Sequence, residues 1–111
     1  WRVPDGGGGV WGKALNSNSD FTYIFATAAK GYNFTRKFGS ETQIWYPAAG
    51  YRGSFYNASP YGAGSIGCYW SATTATSNAR LAYYLYFGES SISLTGSNAR
   101  SFAKSVRCIQ E

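Results

Sequence analysis

The sharpest alternation of apolar and polar positions lies in residues 81–87, "LAYYLYF". Side chains two apart share one face of a strand, so Leu81, Tyr83, Leu85 and Phe87 are assigned to the core, and Ala82, Tyr84 and Tyr86 to the opposite face. The same period continues in "SSISLTGSNAR", with Ile92 and Leu94 inward and Ser91, Ser93 and Thr95 outward. Gly88 and Glu89 supply a turn between the two runs, which predicts an antiparallel hairpin. A last strand is expected in "AKSVRCIQ", where Val106 and Cys108 alternate with Ser105, Arg107 and Ile109, and it closes the domain by returning to the sheet.

Earlier segments are less regular. "TQIWYPAAGYRG" reads as a short buried strand from Ile44 to Tyr46, broken by Pro47 and followed by a turn at Gly50 and Gly53. In "SDFTYIFATAAKGYNF", Phe21, Ile24, Phe25 and Ala28 fall at helical spacing behind a Ser19 or Asp20 cap, with Gly31 as the stop. The β-branched and aromatic content of that stretch suits a strand equally, and both readings stay open. "SFYNASPYGAGSIG" is turn chemistry throughout, and the four glycines at positions 6–9 are too permissive to sit inside an element.

A length of 111 residues suits one domain, residues 1–111, with a modest core. The start at Trp1 reads as that of a segment from a longer chain. Aromatic residues make up 19% of the sequence and charged residues only 14%, with 14 glycines, a mixture that favours aromatic strands joined by tight turns over long surface helices. No apolar run is long enough to cross a bilayer as a helix, so direct membrane insertion is not expected.

Catalytic chemistry is sparse. Histidine is absent, and the five acids, Asp5, Asp20, Glu41, Glu89 and Glu111, are scattered without a pair spaced for glycosidase work or a cluster fit for calcium. Neither an enzyme nor a cofactor is expected. Cys68 and Cys108 lack the spacing of a zinc site, and they are either a disulfide or two buried thiols.

Ten Lys and Arg against five Asp and Glu give a net charge of +5, which favours anionic partners. The basic residues are spread singly, with no RNA-binding sheet signature and no helix-turn-helix pattern, so nucleic acid is not the expected partner.

The ordered set "WRVP", "YPAAGYR", "CYWSAT", "YYLYF", "NAR" and "SVRC" resembles the Fibrobacter succinogenes major paralogous domain, common in surface proteins of Bacteroidetes. The resemblance runs from Trp1 to about Ile109 and is strongest between Tyr46 and Cys108. It implies an α+β, C-type lectin-like domain of short antiparallel strands, long loops and little helix, with its chain ends close together. It also implies an exported protein acting at the bacterial cell surface or outside the cell. The likeness extends to the variable proteins of diversity-generating retroelements, which place their ligand face in the C-terminal region corresponding to the outward residues between Thr73 and Phe102. The sequence departs from the family pattern in two places. Ala103 and Lys104 stand where Gly and an aromatic or varied residue are common, and Cys68 stands where Tyr is usual. The calcium-binding triplets of sugar-binding C-type lectins do not occur here, so any glycan recognition would proceed without calcium.

On this reading Tyr84 and Tyr86, with Ser91, Ser93, Thr95, Asn98 and Phe102, form a surface of rings and small polar groups for a glycan or protein ligand, the same chemistry that antibody loops use. Arg80 and Lys104 are the candidates for steering an acidic ligand. Each has a structural alternative. Tyr84 and Tyr86 would also serve as cross-strand pairs that stabilise the sheet. Trp70 reads as a core anchor, and Arg100 and Arg107 as donors to loop carbonyls. Two other functions are weighed: a packing module of a multidomain surface protein, and an enzyme related to formylglycine-generating proteins, which needs chemistry at Cys68 and Cys108.

Overall fold

The computed structural model describes residues 3–6, 21–36, 43–53 and 59–108. The described residues form strands and turns, with no helix among them. Three antiparallel units follow one another along the chain. The first sheet runs β1 (Phe21–Ala26), β2 (Gly31–Arg36) and β3 (Gln43–Pro47) in sequence order. A two-residue pair, β4 (Tyr51–Arg52) with β5 (Pro60–Tyr61), comes next, and the last sheet is β6 (Gly67–Thr74), β7 (Leu81–Phe87) and β8 (Ile92–Ala99).

The first hairpin decides between the two readings of residues 19–31. Phe21–Ala26 pairs residue for residue with Gly31–Arg36, so the helical spacing of Phe21, Ile24, Phe25 and Ala28 is coincidental. A strand puts neighbours on opposite faces: Phe25 turns toward the core, while Ile24 is 68% exposed. Lys30 closes the turn in the left-handed region, at φ 54°, with its N–H donating to the Thr27 carbonyl. The proposed caps, Ser19 and Asp20, lie outside the described residues.

Aromatic rings join the first and last sheets into one core. Phe25, Tyr32 and Tyr46 occupy one row across β1, β2 and β3. Tyr32 sits 5.0 Å from the Phe87 ring, and Tyr46 meets Tyr69 edge to face at 4.9 Å. Leu85 and Phe87 are fully buried, as the alternation in β7 requires. Gly67, opposite Phe87 in the register, leaves room for that ring, which a Cβ at Gly67 would overlap. Ile92 packs against the same cluster. The predicted strand at Ile44–Tyr46 is present, but burial deepens along it, with Ile44 exposed, Trp45 half-buried and Tyr46 buried.

The late hairpin pairs as expected, with a change of face. Ser93 stands opposite Tyr86, whereas Gly96 stands opposite Tyr84 and Asn98 opposite Ala82, because the register shifts between Tyr84 and Tyr86. The irregularity inserts an odd step, so the serine face of the first half of β8 and the Gly96–Asn98 face of the second half meet the same face of β7. The uninterrupted Ser91, Ser93, Thr95 face read from the sequence is broken at that point.

The ends of the described chain both rest on β6. The Pro4 carbonyl accepts from Ala72 N–H at 2.9 Å. Residues 103–105 lie between β4 and β6: Arg52 and Ala103 exchange two backbone hydrogen bonds, Trp70 N–H donates to the Ser105 carbonyl, and Ser105 N–H donates to the Cys68 carbonyl. Among the described residues no strand forms beyond that anchor, and Ile109 lies outside them. Val106 and Cys108 are exposed rather than alternating into the sheet.

The cysteines are free. Cys68 is buried within β6, while Cys108 follows the departure of the chain from the sheet and is exposed, so the disulfide reading is set aside.

Candidate functional site

Three of the sequence candidates, Tyr84, Phe102 and Lys104, come together. Trp70, Tyr84 and Gly96 form a cross-strand row over β6, β7 and β8. The Tyr84 ring lies over Gly96 and meets Trp70 edge to face, with ring centres 6.0 Å apart. From the other side Tyr51 on β4 packs against Phe102 at 6.2 Å and Tyr61 at 5.5 Å.

The Lys104 ammonium fills the space among these rings. Nζ lies 4.4 Å from the centre of Tyr84, 4.7 Å from Tyr51, 4.9 Å from Phe102 and 5.0 Å from Trp70. Each ring face is electron-rich, and an ammonium at this range is attracted by roughly 0.5 to 2 kcal/mol depending on its hydration. The backbone bonds of Ala103 and Ser105 hold the chain on both sides of Lys104, so its side chain is delivered to one place.

Partial burial governs the titration of the cluster. Loss of water pushes the Lys104 ammonium below its ordinary value, and the nearby Cys68 acts in the opposite direction. Burial likewise pushes the Tyr84 and Tyr51 phenols up, with smaller contributions from neighbouring acids of the same set. The Cys68 thiol is raised by burial and lowered by the Lys104 charge. At neutral pH the upward shifts leave neutral phenols and a neutral thiol around the lysine.

Two shallow pockets adjoin the cluster. One, of about 290 Å³, is lined by Tyr51, Arg52, Pro60, Ala103, Lys104 and Ser105. The other, of about 350 Å³, is lined by Trp70, Ser71, Thr73, Thr74, Ala82 and Arg100. The second opens where the β6–β7 register shifts between Trp70 and Thr74. The buried Ser71 hydroxyl holds that irregularity, donating to the Tyr83 carbonyl at 2.8 Å and accepting from Thr73 N–H at 3.2 Å.

The remaining candidates are dispersed around this centre. Tyr86 is half-buried opposite Cys68 and Ser93, one step along β7 from the cluster. Ser91 and Thr95 are exposed. Asn98 spends its side-chain oxygen on the Ala99 N–H at 2.8 Å. Arg80 is exposed in the β6–β7 turn, where its carbonyl accepts from Arg100 N–H.

Three residues move out of the roles assigned from sequence. Trp70 stands at the ring cluster instead of in the core, because β6 places it on the face of Tyr84 rather than on that of Tyr69. Arg100 lines a pocket. Arg107 lies over the Tyr46 ring at 5.1 Å. Tyr51 was missed altogether; the signal was its place in "YPAAGYR", directly after Gly50 and within the turn expected at Gly50 and Gly53.

Among the described residues no group of three or more Cys, Asp or Glu is arranged to hold a metal ion. No protein family, characterised protein or solved structure matches the chain.

Proposed function

We propose that this chain is a noncatalytic recognition domain of a bacterial surface protein, C-type lectin-like in architecture, that binds a glycan or protein ligand through the ring cluster without calcium. The observation that carries the reading is the gathering of Tyr51, Trp70, Tyr84 and Phe102 around Lys104, beside two shallow pockets. Rings fixed on strands, as Tyr51, Trp70 and Tyr84 are, offer large contact area with little conformational entropy left to lose, which is the economy of aromatic binding surfaces. Both ends of the described chain rest on β6, which supports an architecture with close chain ends.

The test is a binding screen of the domain against neutral, sialylated and sulfated glycans, with and without chelator. Chelator-resistant binding that is lost in a folded Tyr84→Ala variant supports the reading. Silence across the glycans, together with no protein captured through this face, favours a packing module within a larger surface protein.

A further inference from the structure

The two pockets share a feature beyond their ring walls: each carries cationic groups, and among the described residues no carboxylate lines either. Lys104 and Arg52 border the first and Arg100 the second. The ring cluster contributes to both, through Tyr51 on one side and Trp70 on the other.

We propose that this surface takes an anionic oligosaccharide, with one carboxylate or sulfate group at Lys104, a second at Arg100, and the sugar faces laid against Tyr51 and Trp70. The proposal rests on the recognition reading above and names its ligand class.

The Lys104 ammonium is fixed and partly stripped of water, which increases what it gains from a nearby anion relative to a fully hydrated lysine. The rings that strip it are themselves uncharged, so its charge is softened without being cancelled by an acid. Arg100 presents a planar fork that matches a carboxylate or sulfate through two parallel hydrogen bonds. Its backbone N–H donates to the Arg80 carbonyl at 3.1 Å, which fastens the start of the Arg100 side chain to the β6–β7 turn.

Size points to a short chain rather than a single sugar. Volumes of about 290 and 350 Å³ fall near the lower end of small-ligand sites, which span roughly 300 to 1,000 Å³, so each pocket suits one unit. Ring faces favour the C–H faces of a pyranose, and the hydroxyls of Thr73 and Thr74 add polar partners in the second pocket. The net charge of +5 adds a long-range attraction for the same class of ligand.

Titration calorimetry with a heparin-derived tetrasaccharide, tetragalacturonate and neutral cellotetraose provides the test, run on the parent, Arg100→Gln, Lys104→Gln and a distant control, Lys30→Gln. At least one anionic tetrasaccharide is expected to bind about 10-fold or more tighter than cellotetraose, which is a tenfold ratio of Kd values. Arg100→Gln, at an exposed position, keeps the parent's thermal midpoint and weakens that binding several-fold, as does Lys104→Gln, whereas Lys30→Gln does not. Equal affinity for cellotetraose overturns the ligand class and leaves the recognition reading intact. Anionic binding reduced as much by Lys30→Gln as by Arg100→Gln also overturns it, since diffuse attraction to net charge then accounts for the binding. Silence toward all three sugars overturns it, and the recognition reading then stands or falls on protein ligands.

Discussion

The Tyr84 ring lies across Gly96 of the neighbouring strand, where a Cβ would sit 2.9 Å from its Cζ atom. The position of a binding-face ring is therefore set by the absence of a side chain on the next strand. Gly96→Val is expected to tilt Tyr84 away from Trp70, lower stability by about 1 to 3 kcal/mol as overpacking does, and reduce binding to the preferred tetrasaccharide as deeply as Tyr84→Ala. Near-ultraviolet circular dichroism, urea unfolding and calorimetry read the three effects. A Gly96→Val protein with the parent's aromatic spectrum and affinity would show that the ring does not depend on this gap.

Gly67 plays the corresponding part in the core, beneath Phe87. Gly67→Ala forces its methyl into a fully buried ring, and the expected loss is at the upper end of the overpacking range, about 3 kcal/mol. Urea denaturation measures it. A loss below about 0.5 kcal/mol, the size of an ordinary surface change, contradicts the packing.

Tyr69 makes the fold sensitive to alkali. Its hydroxyl donates to the Pro47 carbonyl at 2.7 Å, and burial pushes its pKa up to about 12, against the opposing charge of Arg107. The folded state holds this proton more tightly than the unfolded chain, whose phenol titrates near 10. Stability from this group is thus complete below pH 10 and is lost as pH rises through about 12. Tyr69→Phe is expected to lose about 1 kcal/mol at pH 7, the net worth of one hydrogen bond, and to lose less on further titration than the parent. Unfolding curves between pH 8 and 12 decide it.

Thiol chemistry separates the two cysteines. Native protein treated with a maleimide is expected to take up label rapidly at Cys108, with Cys68 reacting only after denaturation, since it is buried and its thiolate is disfavoured. Mass spectrometry of the intact chain counts the labels. Refusal of any label by non-reduced, denatured protein would restore the disulfide.

Lys104 is predicted to matter more for binding than for stability. Its lowered pKa reflects the cost that burial places on its charged form. Lys104→Met keeps the stem, removes the charge and is expected to change stability by less than about 1 kcal/mol, while anion binding weakens several-fold. The unfolded chain binds the lysine proton more tightly than the fold does, so this group adds stability as pH rises toward 10.5, and the Met variant lacks that limb.

The legible parts of this molecule were those governed by near neighbours. The two-residue period of "LAYYLYF" placed Leu85 and Phe87 in the core because β alternation depends only on strand geometry. Residues 21–31 were ambiguous because both periods fit the same apolar positions, and the turn at Lys30 carries no glycine or asparagine to announce it. The ring cluster was only half legible. Tyr84, Phe102 and Lys104 were singled out, but Tyr51 and Trp70 join them from separate strands through β4–β5 pairing and the anchor at residues 103–105. Chain separation hides such a meeting, and the change of face in β8 falls beside Gly96, which strict alternation passes over without showing a bulge.

The anchor on either side of Lys104 is made of main-chain groups alone. Peptide N–H and C=O groups are the same whatever side chain they carry, so the path of the chain past β4 and β6 is decoupled from the identity of the residues it displays. A framework of that kind can exchange the chemistry at its face, ring for chain or cation for neutral group, while the scaffold beneath keeps its shape.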